Sequence, residues 1–224
     1  MIGDVLPAGV AHAESFGDVD VALFPQEAQA VARAVEKRRR EFATVRWCAR
    51  QALAQLGYPP APVPPGERGC PVWPDGVVGS LTHCDGYRAA AVCRAASWHA
   101  IGIDAEPHDR LPAEVTGLVV RPEERDRLAE LTAADASVCW DRLLFSAKEA
   151  VYKAWYPLAR RWLDFQEASL TISPDGGFHA RLLVDGPTLD GRPLESVTGR
   201  GWSTVAWWCA RSPCRAGSEP PRRI

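Results

Sequence analysis

The sequence predicts an α+β protein built as two similar halves. Helix-periodic and strand-like segments occur on both sides of the chain's middle. The strand opening at Gly86-Tyr87 and closing at Cys93 is echoed by one opening at Gly201-Trp202 and closing at Cys209. The length of 224 residues, with 46% hydrophobic and 24% charged, supports a core in one domain or two small halves. The expected division is an N-terminal half over 1–100 and a C-terminal half over 101–211. A disordered tail is expected over 212–224.

In chain order, residues 27–56 read as one Ala-rich helix, with Phe42, Val45, Ala49, Leu53 and Leu56 at three- and four-residue steps. Gly57 is placed to cap it. The segment 59–74 carries seven prolines and reads as a loop. Strands are predicted over 77–84, 87–93 and 98–106, then a helix over 122–131. A strong helix over 137–155 is expected to stop at Pro157, because the residue before a proline avoids helical geometry. Strands over 169–173 and 178–184 flank the turn Pro174-Asp175-Gly176-Gly177. A last strand covers 202–209.

Charge and composition exclude several classes. The formal net charge is -2, which offers no basic footprint for nucleic acid. No apolar run approaches the roughly 20 residues of a membrane-spanning helix. The first 13 residues carry Asp4 and Pro7 and lack a positive start, so they do not read as a signal peptide. The seven cysteines are scattered with no C-x-x-C pair, which reads as buried reduced thiols in a cytoplasmic protein. A monomer with no nucleic-acid or membrane partner is expected.

Three segments carry chemistry. Along Ile101-Gly102-Ile103-Asp104-Ala105-Glu106, strand alternation sets Ile101, Ile103 and Ala105 on one side and Gly102, Asp104 and Glu106 on the other. Two carboxylates beside a glycine suit a hard cation such as magnesium, although a strand tip running into solvent looks the same. The helix Phe145-Ser146-Ala147-Lys148-Glu149-Ala150-Val151-Tyr152-Lys153 holds two of the chain's three lysines, Lys37 being the other. A flexible point charge suits phosphate contact, and Glu149 with Lys153 also has the spacing of an ordinary helix ion pair. Gly79-Ser80-Leu81-Thr82-His83 would supply several donors to a phosphate. The basic run Lys37-Arg38-Arg39-Arg40, with Arg46 and Arg50, reads most simply as a solvated helix face when taken alone.

Taken together and in this order, the three segments resemble the Sfp/EntD-type 4'-phosphopantetheinyl transferases, most closely their actinobacterial members. The family's G-x-D-x-E strand corresponds to Gly102 through Glu106. Its W/F-S-x-K-E-x-x-x-K helix corresponds to Phe145 through Lys153, and its S-x-[ST]-H element to Ser80 through His83. The arginine helix and the stretch Gly66-Glu67-Arg68-Gly69 to Trp73-Pro74 also fit. The resemblance covers roughly residues 30 to 165.

The resemblance implies halves related by a pseudo-twofold axis, with coenzyme A between them. Its phosphopantetheine arm would pass to a serine of an apo acyl or peptidyl carrier protein. Magnesium would be held by Asp104, Glu106 and Glu149, with the Ala105 carbonyl joining. Arg38, Arg46, Arg68, Thr82 and His83 would hold the nucleotide phosphates, with Asp104 beside them. Lys148 and Lys153 would lie along the pyrophosphate, and Glu149 would take the serine proton. Pro65 stands where relatives often carry a lysine, a contact that Arg68 is expected to replace. The alternatives are another magnesium-dependent nucleotide-using transferase, or an Arg-rich binding module without catalysis.

Overall fold

Small side chains decide how closely the layers of this protein approach. The computed structural model describes residues 2–202 and 205–211. Its N-terminal half comprises α1 (Ile2–Val5), β1 (Ala11–Ser15), α2 (Pro25–Ala30), α3 (Glu36–Gln55), β2 (Val77–Cys84) and β3 (Tyr87–Arg94). The three strands form an antiparallel sheet in the order β1-β3-β2, with Ser80 opposite Ala91 and Ala13 opposite Ala90. The central strand is buried almost end to end, and its run Ala89-Ala90-Ala91-Val92 leaves room on both faces. On one face α3 brings Cys48, Ala49, Ala52 and Leu53 against Ala90 and Val92. On the other, Ala89, Ala91 and Cys93 meet Ile101, Ile103 and Ala105.

Those last three residues belong to β4 (Trp98–Ala105), which opens the second half. After it come α4 (Ala113–Val119), α5 (Pro122–Ala134), α6 (Trp140–Ala159), β5 (Ala168–Ile172) and β6 (Gly177–Leu182). The chain continues with β7 (Thr188–Leu189), β8 (Arg192–Pro193), β9 (Ser196–Trp202) and β10 (Val205–Arg211). The larger sheet is antiparallel, in the order β4-β10-β9-β6-β5, with β7 and β8 a separate ribbon. The alternation expected for β4 is found: its isoleucines face the first sheet, and Gly102 faces α6. A Cβ on Gly102 would fall inside the Ala150 carbonyl oxygen. The glycine therefore serves the close crossing of strand and helix, rather than space for an ion.

The two sheets meet along a seam closed by side chains. The Ser80 hydroxyl accepts the Ile103 N–H at 3.1 Å, and the Thr82 hydroxyl accepts the Ala105 N–H at 3.0 Å. Two hydroxyls on β2 thus satisfy backbone donors on β4, which buried strands require. The result is a mixed α+β architecture in which each half lays one 20-residue helix on an antiparallel sheet.

Three expectations are corrected and one element is added. The helix expected over 27–56 is two helices, α2 and α3, parted at 31–35. The break turns Glu27 inward, where it is fully buried and binds Arg50 at 3.1 Å and the Val63 N–H at 2.8 Å. Arg39 fills the gap by donating to the Val31 and Ala32 carbonyls at the break. Second, α6 runs through Pro157 and ends at Arg160, whose φ of 51° is left-handed. Tertiary packing of Leu158 and Ala159 on the core outweighs the one backbone donor that proline lacks so near the end. Third, the final strand region is a hairpin, with β9 and β10 paired Val205 to Trp202. The added element, not foreseen, is β1.

Gly57 does close α3, with φ of 83°. Among the described residues, the cysteines at 48, 70, 84, 93 and 139 are unpaired, and of these Cys48 and Cys93 are buried. Among the described residues no helix is long and apolar enough to cross a membrane. The tail expected over 212–224 lies outside the described residues.

Candidate active site

The seam between the halves opens into a cleft of about 270 Å³. One wall is α3, giving Arg38, Phe42, Val45 and Arg46, and its floor is β2 from Gly79 to His83. The opposite wall is α6, giving Glu149, Tyr152, Lys153 and Tyr156, and the loop Arg68–Pro71 closes one side. Residues three, four and seven apart on a helix share a face, so one stripe of α6 looks into the cleft. All five side chains expected at the nucleotide phosphates (Arg38, Arg46, Arg68, Thr82 and His83) line it together with Glu149 and Lys153.

Each cation is held differently. Arg46 is buried, donates to the Val63 carbonyl at 3.0 Å and lies 3.7 Å over the Phe42 ring. Burial pushes its pKa down to about 10, which leaves it charged at neutral pH. Arg38 touches His83 through Nη1 and Nε2. A guanidinium can only donate, so Nε2 is the acceptor and the imidazole is neutral. Burial, and then the Arg38 charge, lower the His83 pKa, which agrees with that assignment. Arg68 sits in a left-handed backbone conformation, φ 51°, and its guanidinium lies 5.9 Å over Trp162 from the opposite half.

The carboxylates gather just below. Asp104 is buried and binds Lys153 Nζ at 2.6 Å, and it accepts the Ser146 hydroxyl at 2.9 Å. Glu106 pairs with Arg142 at 3.0 Å. Burial raises the pKa of Glu106 and of Glu149, and the Asp104 charge raises both further. The three acids therefore repel one another, while Arg142 and Lys153 answer part of the charge. Among the described residues, no three His, Cys, Asp or Glu side chains converge into a ready-made metal site.

The remaining expected site residues lie off the cleft. Ala105 is buried in β4 with its N–H spent on Thr82. Lys148 points the other way, into the second half. Its ammonium meets Glu124 at 2.9 Å and the Val119 and Phe165 carbonyls at 2.9 Å each, so all three donors are used. The sequence reading missed Tyr152, Tyr156 and Arg142. Both tyrosines could have been found by stepping along the Glu149 face of the helix. Nothing local marked Arg142 as the partner of Glu106.

A cleft ringed by arginine, histidine and lysine, with clustered carboxylates at one end, has the chemistry that suits a phosphate-bearing ligand. Comparison with known proteins makes this specific. Residues 26–93 match the 4'-phosphopantetheinyl transferase N-terminal domain, and residues 100–197 match the 4'-phosphopantetheinyl transferase superfamily. The chain is 56% identical to the 4'-phosphopantetheinyl transferase Svp of Streptomyces mobaraensis, over 89% of this chain and 83% of that one. It is 50% identical to the 4'-phosphopantetheinyl transferase PptT of Mycobacterium tuberculosis, over 91% and 92%. Enterobactin synthase component D of Escherichia coli is more distant, 36% identical over 62% of this chain and 65% of that one. The chain belongs to the 4'-phosphopantetheinyl transferase superfamily and is an enzyme of that class.

Proposed function

We propose that the cleft binds coenzyme A and that its residues divide the family reaction among them as follows. The reaction moves the 4'-phosphopantetheine arm to a serine hydroxyl of an apo acyl or peptidyl carrier protein and releases adenosine 3',5'-bisphosphate. The observation that carries the assignment is one cleft in which Arg38, Arg46, Arg68, Thr82 and His83 face Glu149 and Lys153. The five bind the nucleotide phosphates. Asp104 orients Lys153 from below, and Lys153 lies along the pyrophosphate.

Glu149 is the base that takes the serine proton. Burial and neighbouring acids raise its pKa, which suits proton acceptance near neutral pH. The serine oxygen then attacks the phosphorus bearing the pantetheine arm. The bond to the bridging oxygen breaks, and the nucleotide leaves with that oxygen. Positioning and charge neutralisation do most of this work in phosphoryl transfer.

The donor chemistry suits magnesium, although among the described residues the carboxylates do not converge into a ready-made site without it. Asp104, Glu106 and Glu149 offer only hard oxygens and repel one another in its absence. Those three residues, with the Ala105 carbonyl, would hold the ion. When bound, it would neutralise charge developing on the pyrophosphate.

The coarser features follow from the same reading. The two halves, 1–100 and 101–211, are related by a pseudo-twofold axis, a reading supported by the matching helix-on-sheet pattern. One chain supplies both walls of the cleft, which favours a monomer. A coenzyme A substrate and unpaired cysteines favour the cytoplasm. The likeness to an enterobactin synthase component favours a carrier of a siderophore-type synthase among the acceptors, beside polyketide and nonribosomal peptide carriers.

Calorimetric titration with coenzyme A and with ATP, each with magnesium, tests the reading. Coenzyme A should bind at least tenfold tighter. Equal affinity would replace the reading with a generic nucleotide-using transferase.

A further inference from the structure

Arg142, Ser146, Glu149 and Lys153 follow one another along α6 at steps of four, three and four residues, so they share one face of the helix. β4 lies along that face in the opposite direction. Gly102 meets Ala150 and Ala154, Asp104 meets Lys153 and Ser146, and Glu106, one residue past the strand, meets Arg142. The two acids are held unequally. Asp104 is fixed on both oxygens, Oδ1 by Lys153 at 2.6 Å and Oδ2 by Ser146 at 2.9 Å. Glu106 is fixed on one: Arg142 Nη1 donates to Oε2 at 3.0 Å, and Oε1 has no hydrogen bond among the described residues.

Arg142 has no nitrogen idle. Its Nε donates to the Asp109 carbonyl and its Nη2 to the Arg110 carbonyl, each at 2.9 Å. Beside it, Asp141 accepts the Leu111 N–H at 3.2 Å. The first turn of α6 thus clasps the segment 106–111, which leaves the sheet at Ala105 and is exposed from Pro107 to Arg110. Without that clasp, neither strand pairing nor packing would keep a flexible glutamate side chain beside Asp104 and Glu149. A planar guanidinium fork fixes direction as well as charge.

We propose that Arg142 is a positioning residue, which by holding Oε2 of Glu106 keeps that carboxylate beside Asp104 and Glu149 with Oε1 open to a divalent cation. The inference rests on the magnesium reading of these acids. Partners that hold a metal-ligating carboxylate from behind typically matter 10- to 100-fold to metal affinity. The sign of the effect is diagnostic, because removing a cation would by charge alone tighten the binding of another.

The test uses manganese as a paramagnetic stand-in for magnesium, titrated into the full chain with coenzyme A present and no carrier. Arg142→Met should weaken manganese binding by about 10- to 100-fold. Glu106→Gln should weaken it too, and the double variant should be no weaker than Glu106→Gln alone, because Arg142 acts through Glu106. Coenzyme A affinity in metal-free buffer should stay within about twofold. Should Arg142→Met not fold, Arg142→Lys, which keeps the charge without the fork, should weaken manganese binding by a smaller factor. A lower Tm with manganese affinity unchanged would reduce Arg142 to a structural clasp, and tighter binding would make it a competitor of the metal. Either result, or additive losses in the double variant, would overturn the proposal. If the parent binds no manganese, or Glu106→Gln binds it as the parent does, the magnesium reading falls and this inference with it. If Glu106→Gln weakens binding and the folded Arg142 variants do not, only the inference falls.

Discussion

Lys148 and Lys153 sit on one helix, and each meets an acid, yet they do opposite things. Lys148 is 2% exposed at the side chain, and Glu124 opposite it is equally buried. Glu124 also accepts the Arg121 N–H and the Leu170 N–H, each at 2.8 Å, so the network is closed on itself. Lys153 is 28% exposed at the side chain, lines the cleft and keeps donor capacity beyond Asp104 and Thr82. A cation with every donor spent locks α6 to α5 and the segment before β5. A cation with donors to spare, beside open space, is available to a substrate. Residue type and motif did not separate the two; the satisfaction of their hydrogen bonds does.

The largest test of that contrast is on the cleft side, at Glu149. Glu149→Gln keeps the shape but cannot accept a proton, so kcat should fall by about 10²–10⁴-fold. The same change should raise Tm in metal-free buffer at neutral pH. The folded-state pKa of Glu149 is raised, so above it the buried charge costs stability, and that cost fades as pH falls through it. The gain in Tm should therefore shrink on acidification. A variant with near-normal kcat would remove Glu149 from the chemistry.

On the sealed side, Lys148→Met should leave Glu124 buried and unpaired, at a cost of about 3–5 kcal/mol. Denaturant unfolding would show this, while coenzyme A affinity of the folded fraction stays within about twofold. Lys153→Met should give the reverse pattern: a smaller stability loss and a large loss of kcat. If both variants lose stability equally and neither changes kcat selectively, the two faces are not functionally distinct.

Gly102→Ala tests the geometry that holds the faces apart. The added methyl meets the backbone of α6 at Ala150 and Ala154, which no side-chain rotation relieves. Overpacking of this kind costs about 1–3 kcal/mol, or more where backbone must shift. Displacing α6 from β4 should also lower kcat, because Asp104 and Glu149 ride on those two elements. A fully active, fully stable variant would show that their close approach is dispensable.

The smallest expected effect is at His83. Its neutral state follows from burial and the adjacent Arg38. A bound phosphate favours the imidazolium, so coenzyme A should bind several-fold tighter at pH 6 than at pH 8. His83→Ala should abolish that slope. A pH-independent affinity in the parent would show that His83 makes no ionic contact with the ligand.

Much of this was legible in the chain. The strands predicted over 77–84, 87–93 and 98–106 are found at 77–84, 87–94 and 98–105, within a residue at each end. The amphipathic stripe of α6 is equally plain. The break at 31–35 was not, because nothing in an Ala-rich run announces that Glu27 will be drawn inward to Arg50 and the Val63 N–H. Pro157 misled for a related reason: a local rule yielded to packing of the helix's last turn. In the site, the residue types and spacing of Asp104, Glu106, Glu149 and Lys153 were readable. Which face of α6 each lysine occupied was decided by Glu124, a partner on another helix. Long-range pairs of that kind leave no local trace in sequence.

The central claim is that this cleft performs arm transfer through the Glu149–Lys153 face. It is tested most directly by incubating the protein with coenzyme A, magnesium and an apo carrier protein, then measuring the carrier's intact mass. The parent protein and Lys148→Met (held at a temperature where it remains folded) should each add one phosphopantetheine arm to the carrier. Glu149→Gln and Lys153→Met should leave it largely unmodified over the same interval. A carrier that gains no mass with the parent protein, or gains it equally with all four, would contradict the account.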